Sequence, residues 1–214
     1  MNRTLQKKIP NLITLFRVVI AAAFFVTLSK FKVPNQGILF GNLAIALFVL
    51  AAITDFLDGY LARKWHVVSM FGRIMDPFCD KVLVIGAFIY FASPRFSMTN
   101  EENVIQMATG VYPWMVVVII ARDLLVTAIR DLLESIGQNG AAKWAGKLKM
   151  IVQSIILPTI LLITVNFRPD VHQILLYLNH ILIWLVLLIT VFSSIPYITG
   201  LFHVLNSTEN ENPL

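Results

Sequence analysis

Four aspartates lie close together in an otherwise apolar chain: Asp55, Asp58, Asp76 and Asp80. The first two are three residues apart and the last two are four residues apart, so each pair shares one face if its segment is helical. Carboxylate oxygens are the ligands that hard divalent cations prefer, and Mg²⁺ in proteins commonly bridges to substrate phosphates. The residue types and their spacing therefore favour a metal site that acts on a phosphorylated substrate.

The cost of placing these carboxylates in an apolar segment strengthens the metal interpretation. One charged residue deep in a membrane span costs roughly 2.5–3.5 kcal/mol, so four would cost on the order of 10–14 kcal/mol. The nearest basic residues, Arg63, Arg73 and Lys81, are too few to neutralise them. Two divalent cations would balance four negative charges, so we expect two Mg²⁺ ions, with Mn²⁺ as the alternative. An isolated aspartate could instead cap a helix or form an ion pair, and transporters also place acidic residues in their spans.

The rest of the chain predicts the elements that position these side chains. Of its 214 residues, 57% are hydrophobic and only 14% are charged, and the mean hydropathy is +0.77, whereas about 25% of a typical soluble domain is charged. Several apolar runs approach the roughly 20 residues that a helix needs to cross a bilayer. Because lipid does not tolerate unpaired backbone groups, the sequence predicts an all-α integral membrane protein, with residues 1–214 forming a single domain.

Six transmembrane helices are predicted, at 12–29, 38–62, 71–93, 111–133, 145–166 and 171–204. The last is expected to be interrupted near Pro196, because proline cannot continue the helical hydrogen bonds. Residues 1–11 are predicted to form an interfacial segment that begins as a short helix before Pro10, without a cleavable signal peptide, and residues 205–214 are predicted to form a polar tail.

The distribution of basic residues predicts the orientation in the membrane. Lysine and arginine are enriched in the loops on the side of the N-terminus, which places both termini and the aspartates on the cytoplasmic side of a plasma membrane, in bacteria the inner membrane. The net charge of +5 is explained by membrane lipids with anionic headgroups, so no nucleic-acid partner is expected.

The spacing of residues 55–80 resembles the full signature of the CDP-alcohol phosphotransferase family. The matching positions are Asp55, Asp58, Gly59, Ala62, Arg63, Gly72, Asp76 and Asp80. This resemblance implies six membrane helices, two divalent metals, usually a homodimer, and a reaction in which an alcohol displaces CMP from a CDP-linked lipid. It also implies that Asp55, Asp58 and Asp76 ligate the metals, and that Asp80 is both a ligand and the base that accepts the alcohol proton.

The same resemblance implies a binding site for the CDP group of the lipid, formed by Gly59, Arg63, Ser69 and Gly72. The chemistry of these residues agrees, because arginine offers a planar fork suited to phosphate and glycine lets a nucleotide approach the backbone. The alternative for the two glycines is close packing between helices.

Basic residues in the second half of the chain are candidates for binding the acceptor alcohol. Arg122 and Arg130 are eight residues apart, about two helical turns, and Lys147 lies at the start of the next span. We expect these three residues to bind a phosphate on the acceptor, with Lys143 and Lys149 as weaker candidates. The alternatives are ion pairs with neighbouring carboxylates, among them Asp123, or extension of the side chains to lipid headgroups.

Three further segments, "IPNLITLFRV", "RDLLVTAIRDLLESIG" and "AGKLKMIVQ", resemble one branch of the family. In that branch glycerol 3-phosphate attacks CDP-diacylglycerol, which gives phosphatidylglycerophosphate and CMP. The chain departs from the branch in having Arg122-Asp123 in place of Arg-Glu and in its longer loop at 93–110. Inositol phosphate, serine and phosphatidylglycerol remain alternative acceptors, and a cation or proton transporter or a lipid-binding scaffold remains an alternative of another class.

Overall fold

A computed structural model of the chain describes residues 3–34, 36–65, 70–99, 104–137, 144–167 and 172–211, and the side chains at 3–11, 58–63, 65, 70–74, 76–77, 145 and 205–211 lie outside the description. This part of the chain forms seven α-helices: α1 (Arg3–Leu28), α2 (Ile38–Trp65), α3 (Met70–Phe91), α4 (Pro113–Ser135), α5 (Trp144–Asn166), α6 (Gln173–Phe192) and α7 (Ile195–Glu211). The prediction of a mostly helical membrane protein is confirmed.

Helices occupy all six positions at which spans were predicted. Fewer of them are long and apolar enough to cross a bilayer. Among the described residues, three stretches are long and apolar enough: Ile38–Leu57, Gly146–Asn166 and Gln173–Val204. The apolar part of α1, Leu12–Leu28, is shorter, and α3 and α4 carry the charged residues of the site described below. Six crossings therefore remain a prediction.

Two local features test the predicted boundaries. The last apolar stretch divides between Phe192 and Ile195, one residue before Pro196, as predicted. No break separates a helix before Pro10 from the first span, because α1 continues from Arg3 to Leu28; proline is tolerated in membrane helices, whose neighbours can satisfy the freed backbone groups. An interfacial position of residues 1–11 remains a prediction.

The 93–110 loop contains secondary structure that the sequence did not predict. A short 3₁₀ helix at Pro94–Phe96 is followed by two antiparallel strands, β1 (Ser97–Thr99) and β2 (Ile105–Met107). The hairpin is anchored on the helices by buried polar contacts, in which Thr109 Oγ1 donates to the Phe91 carbonyl and Asn179 Nδ2 donates to the Ala108 carbonyl, each at 2.8 Å.

An aromatic core holds the first three helices together. α1 packs against both α2 and α3, and the buried rings of Phe24 on α1 and Phe48 on α2 lie 5.6 Å apart. Ala44 and Ala51 on α2 are also buried, and such small side chains let helix backbones approach closely. This packing brings the charged residues of the three helices to one place.

The outer surface of the bundle is apolar. Large hydrophobic side chains are exposed on several helices, for example Leu15 and Val19 on α1 and Ile181, Leu185 and Leu188 on α6. Many exposed large apolar side chains are expected of helices that face lipid.

Candidate active site

A buried arginine joins two of the four aspartates. Arg17 on α1 is 1% exposed, and its Nη1 atom lies 2.7 Å from Asp55 Oδ1 on α2 and 3.3 Å from Asp80 Oδ1 on α3. The two carboxylates are 36% and 25% exposed, so each is partly open to the space beside it. Because Asp55 Oδ1 and Asp80 Oδ1 both contact Arg17 Nη1, the distance between these two oxygens cannot exceed the sum of the two contact distances.

This convergence fits a divalent cation. Two carboxylate oxygens from different helices, α2 and α3, already gather around one positive centre, and an all-oxygen donor set is what Mg²⁺ requires. Asp58 and Asp76 lie on the same two helices, although their side chains are outside the described part of the chain. Among the described residues there is no group of three or more potential metal ligands, so a site with four carboxylates remains a prediction.

A second group of buried charges lies on α4 and α5. Lys149 Nζ donates to both carboxylate oxygens of Asp123 at 2.6 Å, and Arg122 Nη1 contacts Asp123 Oδ1 at 3.1 Å. Arg122 Nη2 also donates to Ser193 Oγ at 2.6 Å, which connects α4 to the end of α6. One carboxylate is therefore shared by two cations, all three charged side chains are at most 9% exposed, and the group keeps one net positive charge.

A lysine and a threonine connect the two groups. Lys81, the residue after Asp80, donates from Nζ to Thr127 Oγ1 on α4 at 2.7 Å. Thr127 Oγ1 in turn donates to the Asp123 carbonyl at 2.7 Å. A continuous series of contacts thus runs from the α3 carboxylate to the α4 network.

Both groups line one cavity of about 900 Å³. Its walls carry six basic side chains, Arg17, Lys81, Arg122, Arg130, Lys147 and Lys149, and three acidic ones, Asp55, Asp80 and Asp123. The described walls are therefore net positive. Such a cavity suits a substrate with several phosphate charges, and the two partly exposed carboxylates, Asp55 and Asp80, offer oxygens to a cation.

The structure brings together five of the predicted site residues. Asp55, Asp80, Arg122, Arg130 and Lys147 all line this cavity. Arg122 also makes the ion pair with Asp123 that was raised as the alternative to substrate binding.

The predicted CDP-binding residues are described less completely. Gly59 and Arg63 lie on α2 and Gly72 lies on α3, but their side-chain positions are outside the described set, as is Ser69 altogether. Their roles remain predictions.

Two features of the site were missed by sequence reasoning. Arg17 lies within the first predicted span, and no role was predicted for it. A charged residue at that depth needs a partner, and this requirement was the signal that could have identified Arg17 as part of the site. Lys149 was ranked below Lys147 for substrate binding, but it is the main partner of Asp123. No local sequence pattern indicated that pair, because its members lie on different helices.

Comparison with known proteins agrees with this architecture. The family model described as CDP-alcohol phosphatidyltransferase matches residues 7–192. A Bacillus subtilis protein named CDP-diacylglycerol–glycerol-3-phosphate 3-phosphatidyltransferase is 34% identical over 167 residues, which cover 75% of this chain and 79% of the relative. A protein of the same name from Escherichia coli (strain K12) is 31% identical over 202 residues, which cover 92% of this chain and 96% of the relative.

Proposed function

The chain belongs to the CDP-alcohol phosphatidyltransferase family, and we propose that it transfers the phosphatidyl group of CDP-diacylglycerol to glycerol 3-phosphate. The products would be phosphatidylglycerophosphate and CMP, the reaction named for its bacterial relatives. The observation that supports the proposal is that Asp55 and Asp80 line the same cavity as six basic side chains.

Asp80 is the proposed base. Its carboxylate is partly open to the cavity while Arg17 holds one of its oxygens. It would accept the proton of a glycerol 3-phosphate hydroxyl that lies within hydrogen-bonding reach. As the hydroxyl oxygen forms its bond to the β-phosphorus, the bond from that phosphorus to the CMP oxygen breaks and CMP leaves.

Asp55, Asp58, Asp76 and Asp80 would hold two Mg²⁺ ions, which stabilise the negative charge that develops on the phosphate oxygens. Arg63, with Gly59, Ser69 and Gly72, would bind the CDP group, since guanidinium forks match phosphate geometry. Arg130 and Lys147 would bind the phosphate of the acceptor. The acyl chains of the lipid would remain among the apolar surfaces of the helices.

The meeting of two carboxylates at one arginine also favours an enzyme over a transporter. Transport pathways need polar residues on both sides of a central site, whereas Asp55 and Asp80 contact the same Arg17 atom and so lie at one depth. We place this site on the cytoplasmic side, in a bacterial inner membrane and in a homodimer.

The test is a turnover assay on the purified protein in detergent with CDP-diacylglycerol labelled in its diacylglycerol part. Glycerol 3-phosphate, inositol phosphate, serine and phosphatidylglycerol are offered separately with Mg²⁺, Mn²⁺ or a chelator. We expect CMP release and labelled phosphatidylglycerophosphate with glycerol 3-phosphate alone, and no turnover under chelation. Turnover with another alcohol would reassign the acceptor, and turnover in excess chelator would remove the metals from the mechanism.

A further inference from the structure

We infer that Lys81 is an additional phosphate-binding residue of the active site, and that it holds the phosphate of the acceptor next to the reacting carboxylates. This inference rests on the proposed function, because it assumes that the acceptor carries a phosphate. It assigns a role to a residue that otherwise follows Asp80 without a function.

The first argument is the charge balance of the cavity. Arg17 contacts two carboxylates, Asp55 and Asp80, and Arg122 and Lys149 share the carboxylate of Asp123, so each of these three cations has a carboxylate partner. Among the side chains that the structure describes, Lys81 has no carboxylate within ion-pair distance, and its partner is the neutral hydroxyl of Thr127. An ammonium group that is partly buried within a membrane protein is costly to hold without an anion. A substrate phosphate would supply that anion.

The second argument is that the lysine is already positioned. The single hydroxyl proton of Thr127 is used in the hydrogen bond to the Asp123 carbonyl, so Thr127 Oγ1 can only accept from Lys81. This orients the ammonium group, which has three donors and uses one of them on Thr127. Its other donors are available to a ligand, and Lys81 lines the cavity.

The third argument is the direction in which Lys81 points. Asp80 reaches Arg17 on α1, whereas Lys81 reaches Thr127 on α4, one turn before Arg130. The ammonium group therefore extends toward α4, the helix that also carries Arg130. Because Lys81 adjoins Asp80 in the chain and both line the cavity, a small alcohol whose phosphate is bound by Lys81 would carry its hydroxyl in the part of the cavity that Asp80 lines.

The experiment compares Lys81→Met, which keeps most of the side-chain length, with Lys81→Arg, which keeps the charge. Turnover of glycerol 3-phosphate by the wild-type protein is measured first. If the wild-type protein shows no turnover, the proposed function is refuted, whereas the role of Lys81 in phosphate binding is tested separately below. In Lys81→Met we expect the KM for glycerol 3-phosphate to rise roughly tenfold to a hundredfold, as for the loss of one charge-assisted hydrogen bond. The KM for CDP-diacylglycerol should stay within about twofold, and Lys81→Arg should recover much of the loss.

A second measurement does not depend on turnover. Inorganic phosphate should raise the melting temperature of the wild-type protein and of the exposed control variant Lys32→Met, and this shift should be reduced in Lys81→Met. Thr127→Val keeps the charge of Lys81 but removes the hydroxyl that Lys81 contacts. This variant should have a smaller effect than Lys81→Met on the KM for glycerol 3-phosphate.

Two results would overturn the inference. An unchanged KM and an unchanged phosphate shift in Lys81→Met would leave Lys81 as a structural link between α3 and α4, particularly if Thr127→Val lost the same stability. A rise confined to the KM for CDP-diacylglycerol would instead place Lys81 on the diphosphate of the lipid.

Discussion

The substitution Asp123→Asn provides the sharpest test of the buried network. Asp123 accepts hydrogen bonds from Lys149 on both oxygens at 2.6 Å and from Arg122 at 3.1 Å. Removing one partner of a buried ion pair costs about 3–5 kcal/mol, because the other charge is left without compensation. Here two cations lose the same counter-charge, so we expect the free energy of unfolding to fall by an amount in the upper part of that range.

The measurement is denaturant and thermal unfolding of the purified protein in one detergent. Asp131→Asn is the matched control, since Asp131 is an exposed aspartate on the same helix, and surface substitutions usually change stability by at most about 0.5 kcal/mol. The double variant Asp123→Asn with Lys149→Met should be less destabilised than the sum of the two single variants, because it removes both members of the pair. Equal stability of the two asparagine variants, or strict additivity in the double variant, would refute the view that Asp123 is the counter-charge.

Three further predictions concern the site itself. Asp80→Asn should abolish CMP release while equilibrium binding of the CDP-lipid persists; if binding disappears too, Asp80 acts only as a metal ligand. Arg130→Ala should raise the KM for the acceptor by roughly tenfold or more with a smaller effect on kcat, and an unaltered KM would take Arg130 out of the acceptor pocket. Arg17→Met should lower the melting temperature in chelator, and Mn²⁺ should restore more of it than in the wild type, because Asp55 and Asp80 then face each other without their cation; equal Mn²⁺ shifts in both proteins would argue against this.

Part of the convergence of Asp55 and Asp80 follows from local rules. Asp55 lies ten residues before the end of α2 and Asp80 lies ten residues after the start of α3, so two antiparallel helices joined at those ends by a short linker place the two residues at a similar level. Among the described residues, however, both helices pack mainly on α1. The arginine that joins the carboxylates required tertiary information. Arg17 precedes Asp55 by a whole span, and only the packing of α1 against both α2 and α3 brings its guanidinium to them.

The pairing of Asp123 shows a second limit of sequence reasoning. Ion pairing of Arg122 with Asp123 was an open alternative to phosphate binding, and the sequence offered no means of choosing between them. The choice depends on Lys149, which is 26 residues further along the chain and reaches Asp123 from another helix. The register between two helices decides such contacts, and composition and periodicity within one helix do not report it.

The charge balance of the cavity also refines which basic residues are available to a substrate. A cation that is already held by a carboxylate gives up part of that interaction when it binds a phosphate, so its net contribution to affinity is reduced. Arg122 and Lys149 are in this position because they share Asp123. Lys81 and the exposed Lys147 have no such carboxylate partner among the described side chains. The affinity for the acceptor phosphate should therefore depend more on Lys81 and Lys147 than on Arg122. Arg122→Ala should lower the free energy of unfolding more than it weakens acceptor binding.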